Sequence, residues 1–204
     1  DFHVDSGQNW LGYINVFDQA DNFQFGFPEG NLSTASASFS APSPAPVLDL
    51  GPNTRLYDEN ASDPFWVDQV TFDATLVSEF NMYVEQFDNA YDGQTVTFGY
   101  DTIANTLPAG YEAVGFIKVL DAFNTWNTTQ ITTAPLGVGN GSSLSLTVDG
   151  TDILAGTGTI SVQYGFFIKG AYVSSQDPVA GTLVQVVPEP TTFALAGLGV
   201  AALL

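Results

Sequence analysis

The chain contains no cysteine, one histidine and three basic residues among its 204 positions. Each scarcity removes a class of function. Without cysteine there is no disulfide, no thiol nucleophile and no thiolate metal site, so the fold must be held by packing alone. A Ser-His-Asp arrangement would have to use His3, close to the start of the chain, and a zinc site needs several His or Cys ligands. Arg55, Lys118 and Lys169 stand against 22 Asp and Glu, a net charge of −19. Nucleic acid is excluded as a partner, because its phosphates demand Lys and Arg. Anionic lipid finds no basic patch either. Gly137-Val-Gly-Asn-Gly141 lacks the lysine and the strand-to-helix context of a phosphate loop. With so many acids, neighbouring carboxylate pairs arise by chance and carry no case for glycoside hydrolysis. The expectation is a protein that is not an enzyme.

The sequence is rich in strand formers, with 16 Phe and 8 Tyr, and hydrophobic residues reach 45%. Only 12% of residues are charged, so the surface is mostly Asn, Gln, Ser, Thr and Gly. Period-two alternation predicts strands over 9–17, with Trp10, Gly12, Ile14 and Val16 on one face, and over 22–27, with Phe23, Phe25 and Phe27 together. Pro28-Glu-Gly30 is read as a turn. Further strands are expected at 46–50, 94–100, 113–120 and 182–187, with the longest at 157–169. The run from Phe72 to Val84 reads as one bent strand or two, in competition with a helix through Leu76, Phe80, Tyr83 and Phe87. Residues 51–60 read as loop, 63–66 as an aromatic turn, and 124–129 as strand or loop. Asp149-Gly150 between 144–148 and 151–154 reads as a hairpin turn. Three prolines within 41–46 make an extended loop or edge crossing rather than a central strand. Gly115-Phe-Ile-Lys118 and Gly165-Phe-Phe-Ile-Lys169 look alike, either as matching strands of two sheets or by chance. Short strands with frequent turns predict an all-β fold, an antiparallel β-sandwich or jelly roll, as one body over 1–187.

The end of the chain differs in kind. Val187-Pro188-Glu189-Pro190-Thr191-Thr192 leads into an apolar, uncharged run from Phe193 to Leu204. Two prolines two apart break both helix and strand. Thr192 suits the N-cap of a C-terminal apolar helix, and Glu189 suits its positive end. The second segment is therefore 188–204.

Pro188, Glu189 and Pro190 before an apolar run resemble the PEP-CTERM sorting signal of Gram-negative bacteria. That resemblance implies export to the cell surface or extracellular matrix and processing by an exosortase-type membrane protease. The family's Arg cluster is absent here, and Phe193–Leu204 is shorter than the roughly 20 residues that span a bilayer. Any membrane contact is expected only through this tail. Asp1-Phe-His-Val reads as a mature end left after a removed leader. The opening Asp1–Phe17, Asn81-Met-Tyr-Val84 and Val162-Gln-Tyr-Gly-Phe166 also look like small exported proteins bearing the same tail, which implies nothing about chemistry.

Two functions fit. One is a structural surface or matrix protein that self-assembles into filaments, through the tail or by lending a strand to a neighbour's sheet edge. Small residues at Ala194, Gly197 and Ala201, beside Phe193, would let tail helices approach closely. The other is a surface-anchored carbohydrate-binding module for an extracellular polysaccharide, with Trp66 or Trp126 stacking on sugar rings. Asn31, Asn60, Asn127 and Asn140 each begin an Asn-x-Ser/Thr triplet and are glycosylation candidates. Calcium is the one cofactor considered. Asp88 and Asp92 are candidate ligands, although Asp88-Asn-Ala-Tyr-Asp92-Gly93 puts Ala90 at a ligand position, and solvated turns are the favoured reading of such loops.

Overall fold

A computed structural model describes residues 1–35, 37–41, 46–139 and 142–188. In chain order the first strands are β1 (Phe2–His3), β2 (Leu11–Phe17), β3 (Phe23–Glu29), β4 (Ala37–Ala41) and β5 (Val47–Leu50). After a short helix α1 (Arg55–Asn60) come β6 (Val77–Phe87), β7 (Thr95–Asn105), β8 (Glu112–Ala122), β9 (Thr128–Pro135) and β10 (Ser142–Thr147). A second short helix α2 (Thr151–Ala155) precedes β11 (Thr159–Ala171) and β12 (Val184–Pro188).

The strands form two six-stranded sheets. Sheet A runs β1-β7-β12-β5-β4, with β10 also on β7; sheet B runs β3-β2-β6-β11-β8-β9. Pairing is antiparallel except for the two-residue β1, which lies parallel to Phe98 and Gly99. The expected all-β sandwich is therefore present.

Alternation decides which side chains meet between the sheets. Phe80, Met82 and Val84 of β6 point inward with Ile14 and Val16 of β2 and Val162, Tyr164 and Phe166 of β11. From sheet A, Phe98 and Tyr100 reach across. Phe98 stands 5.2 Å from the rings of both Tyr164 and Phe166, and Tyr100 stands 5.1 Å from Phe166. Each such pair adds about 1 kcal/mol beyond its burial. Trp10 closes one end of this core, stacked at 6.4 Å on Phe166, with its indole N–H donated to the Asp5 carbonyl.

Several local expectations need correction. Residues 51–60 are not all loop: Arg55 begins α1, where its Nε bonds Glu59 one turn on at 3.0 Å, and Asn53 Oδ1 accepts from Leu56 N at 3.1 Å. A six-residue helix is too short to show hydrophobic periodicity. Asp149-Gly150 does not turn a hairpin. Asp149 Oδ1 accepts from Thr151 N and Asp92 Oδ1 accepts from Gly150 N, so the chain starts α2 and crosses to sheet B. The strand read from Phe72 begins only at Val77. Residues 67–75 instead close on themselves through a Val67–Ala74 bridge, with Phe72 in the left-handed region at φ 61°. Pro28 lies inside β3, an edge strand, where a missing N–H costs no ladder bond. The two similar Gly-Phe segments lie not in different sheets but side by side in sheet B, with Phe116 opposite Gly165. β12 continues through Pro188, opposite Tyr100. The C-terminal helix lies outside the described residues. Among the described residues no helix is long and apolar enough to cross a membrane.

Candidate functional site

The outward face of sheet B carries a concavity. Residues that alternate with the core positions line it: Tyr13 and Asn15 on β2, Asn81, Tyr83 and Glu85 on β6, Gln163 on β11, and Lys118 and Leu120 on β8. Pro28 of β3 bounds one end, and Thr128 and Trp126 bound the other. The groove encloses about 550 Å³, within the range of small-molecule sites. It crosses the whole six-stranded sheet, so at about 4.8 Å per strand it is roughly 24 Å long.

Two separate sets of hydrogen bonds order the side chains in and beside it. Glu79 Oε1 accepts from Asn15 Nδ2 at 2.9 Å and Asn81 Nδ2 at 3.0 Å, and Asn81 Oδ1 accepts from Lys118 Nζ at 2.9 Å. Glu85 Oε1 accepts from Ser161 Oγ at 2.7 Å and Gln163 Nε2 at 2.8 Å. The register explains the second set: Gln163 sits directly between Glu85 and Lys118 on its two neighbouring strands. Neighbouring side chains bury Asn81 to 3% exposure although it faces outward. Its amide is thereby held in one orientation.

Lys118 Nζ also lies 4.3 Å from the centre of the fully buried Phe116 ring. Burial pushes the lysine below its usual range, opposed by the charge of Glu79. Burial likewise raises the Tyr83 hydroxyl to about 12, reinforced by Glu85 and then by Tyr13. At neutral pH the tyrosine hydroxyl is therefore a neutral donor and acceptor.

An aromatic cluster stands at the Trp126 end. Phe87, Phe123 and Trp126 are exposed and mutually in contact, with ring centres 5.2 to 6.3 Å apart. Phe123 and Trp126 both adopt left-handed backbone, at φ 63° and 56°. Such a conformation costs a non-glycine residue of order 1 kcal/mol. The loop is clamped by Asp121, whose carbonyl accepts from Trp126 N at 2.9 Å and whose Oδ2 accepts from Asn124 Nδ2 at 2.8 Å.

The two tryptophans singled out in the sequence thus part company. Trp126 is in the groove. Trp66 is half-buried elsewhere, packed against Phe25, Phe65 and Tyr172, while its carbonyl accepts from Tyr172 OH at 2.5 Å. Asp88 and Asp92 serve the backbone: Asp88 Oδ1 accepts from Ala90 N, and Asp92 Oδ1 from Gly150 N. Among the described residues no group of three or more His, Asp or Glu side chains gathers to hold a metal. Asn31 Oδ1 accepts from Ser33 Oγ at 2.8 Å, Asn60 Nδ2 donates to the Leu56 carbonyl, and Asn127 is exposed. Asn140, Glu189, Pro190, Phe193, Ala194, Gly197 and Ala201 lie outside the described residues.

Sequence reasoning missed Tyr13, Asn15, Asn81, Tyr83, Glu85, Lys118 and Gln163. Their one signal is that large polar residues occupy the non-core positions of their strands. Only the strand order brings them together.

The chain is thus an all-β two-sheet sandwich with a polar, aromatic-ended groove across one outer face. No protein-family model matches it, and no curated protein matches it. A solved structure described as "CBM4 structure and function" aligns over 90% of this chain and 90% of that chain, at 12% identity and a TM-score of 0.32. A likeness that loose carries no argument about what this chain binds.

Proposed function

We propose that this protein is an exported surface protein whose sandwich binds an extracellular carbohydrate in the groove of sheet B. Its Pro-Glu-Pro segment is the sorting signal read by an exosortase-type enzyme at the cell surface. The observation that carries the binding reading is the make-up of the groove. Aromatic rings at Trp126, Tyr83 and Tyr13 offer faces for sugar rings. Between them lie polar side chains already oriented by hydrogen bonds to one another. Hydroxyl-rich ligands need both features: flat apolar faces for the ring carbons, and preorganised donors and acceptors that lose little entropy on binding. The reading is of binding without chemistry.

Retention on a panel of insoluble polysaccharides tests this, comparing the unaltered protein with Trp126→Ala and Trp66→Ala. The expected result is retention lost in Trp126→Ala and kept in Trp66→Ala. Equal retention by all three on every polymer that binds, or no retention at all, removes the proposal.

Self-assembly as a matrix filament is the second reading. It is favoured by the edge position of β3 in sheet B, where a neighbour's strand can add. Its tail component rests on residues outside the described ones. Electron microscopy of native material tests it, with dispersed particles as the outcome against it.

A further inference from the structure

The charges of the groove narrow the class of sugar. Arg55 is engaged by Glu29 and Glu59, and Lys169 pairs with Asp21 at 2.6 Å while lying over the Phe17 ring. Among the described residues Lys118 has no carboxylate within ion-pair distance; its partners are the amide oxygen of Asn81 and the face of Phe116. Two carboxylates take neutral donors here: Glu85, in the groove, from Ser161 and Gln163, and Glu79, beside it, from the lining residues Asn15 and Asn81. Lys118 and Glu85 are the charged residues of the lining, so the groove itself is balanced in charge, with Glu79 beside it and a chain of net charge −19 around it. An acidic glycan would approach against the field of that net charge and meet a carboxylate beside the groove's lysine. A glycan bearing amines would meet Lys118 in the same cross-strand row as Glu85.

We infer that the groove selects an uncharged glycan, with Glu85 accepting from sugar hydroxyls, Lys118 donating to them, and Gln163 between the two doing both. The inference rests on the carbohydrate reading above. A hydroxyl is donor and acceptor at once, so the Glu85-Gln163-Lys118 row matches successive hydroxyls without needing a charge on the ligand. Charge-assisted hydrogen bonds to neutral hydroxyls are stronger than neutral ones. They also survive added salt, unlike ion pairs between ligand and protein.

The test is calorimetric titration of the full chain with three soluble polymers: galactomannan as the neutral probe, polygalacturonate as the anionic one and chitosan oligosaccharides as the cationic one. Each is run at low salt and at tenfold higher salt. A panel of further neutral polymers, including xyloglucan and hydroxyethylcellulose, covers the choice of sugar. The expected result is binding of a neutral polymer with affinity unchanged by salt and no binding of the charged ones. Glu85→Gln and Lys118→Gln should each weaken neutral binding by about tenfold, with thermal melts confirming that both variants fold. Salt-sensitive binding of polygalacturonate that is lost in Lys118→Gln overturns the inference. So does salt-sensitive binding of chitosan lost in Glu85→Gln. In either case sugar binding itself stands. If no polymer of any charge binds, the carbohydrate reading falls and this inference falls with it.

Discussion

Lys118 donates from Nζ to Asn81 Oδ1 at 2.9 Å, across the intervening strand β11. Asn81 in turn donates to Glu79 at 3.0 Å. A single buried amide therefore ties the groove's lysine to Glu79 beside it. Asn81→Ala should loosen both. Leaving a buried charged donor without its partner costs roughly 1–3 kcal/mol. The expected outcome is a lower melting midpoint together with weaker sugar binding. Asn81→Asp should restore a partner for Lys118 while setting a second carboxylate against Glu79, and recover stability only in part.

Trp126 and Trp66 should separate binding from folding. Trp126 is 47% exposed and ends the groove. Its replacement by alanine should reduce sugar affinity by about 2 kcal/mol, roughly 30-fold, as for other aromatic anchors. The melting midpoint should barely change. Trp66 packs against three aromatic rings, so Trp66→Ala should cost roughly 3 kcal/mol of stability and leave affinity intact. Denaturant melts and titrations on the same preparations check both halves.

Gly26 of β3 leaves room for the far end of the groove. A Cβ there would meet Tyr13 Cε1 at 2.7 Å and Asn15 Oδ1 at 2.8 Å. Gly26→Val should therefore displace both side chains. Because the groove crosses all six strands of sheet B, affinity should rise with oligosaccharide length in the unaltered protein. The variant should keep its affinity for short oligomers and lose the gain from longer ones. A length series of one neutral oligosaccharide measures this.

The clamp between Arg55 and Glu29 should matter for stability alone. Glu29 is 6% exposed and is held by Arg55 and by Asn31 N at 2.8 Å. Arg55→Ala strands a buried carboxylate and should cost about 3–5 kcal/mol. Glu29→Gln in that background should recover part of it, as read by chemical denaturation.

Alkaline stability carries a definite sign. Burial raises Tyr83, Tyr100, Tyr111 and Tyr164 from 10.0 to about 12. Between those values the unfolded chain loses phenolic protons that the folded chain keeps. Their contribution is fully present below pH 10 and is lost as pH rises toward 12. Lys118, pushed below its usual range by burial, acts in the opposite direction, but it is one group against four. The melting midpoint should therefore fall steeply above pH 10, in step with tyrosinate absorbance.

Much of the fold was legible because alternation is a local signal. The inward positions of β2 and β6 read from it as Ile14 and Val16 and as Phe80 and Met82, and β11 read as the longest strand. The two short helices were not legible. Five or six residues hold no full hydrophobic period, and what holds their starts is hydrogen bonding from Leu56, Gly150 and Thr151 N–H to the side chains of Asn53, Asp92 and Asp149. Trp126 was legible as an aromatic in a polar context, but the same argument picked Trp66, which is half-buried against the core. The floor of the groove could not be read at all. Glu85, Gln163 and Lys118 lie far apart in the chain, and they meet only because β11 pairs with β6 on one side and β8 on the other.

The most direct test is nuclear magnetic resonance mapping of the protein titrated with a neutral oligosaccharide. If the sandwich binds sugar in the groove of sheet B, shifts should concentrate at Tyr83, Glu85, Lys118, Gln163 and the Trp126 indole, with the Trp66 indole unmoved. Shifts centred on Trp66 and Phe65, or none at saturating ligand across the neutral panel, would contradict the account.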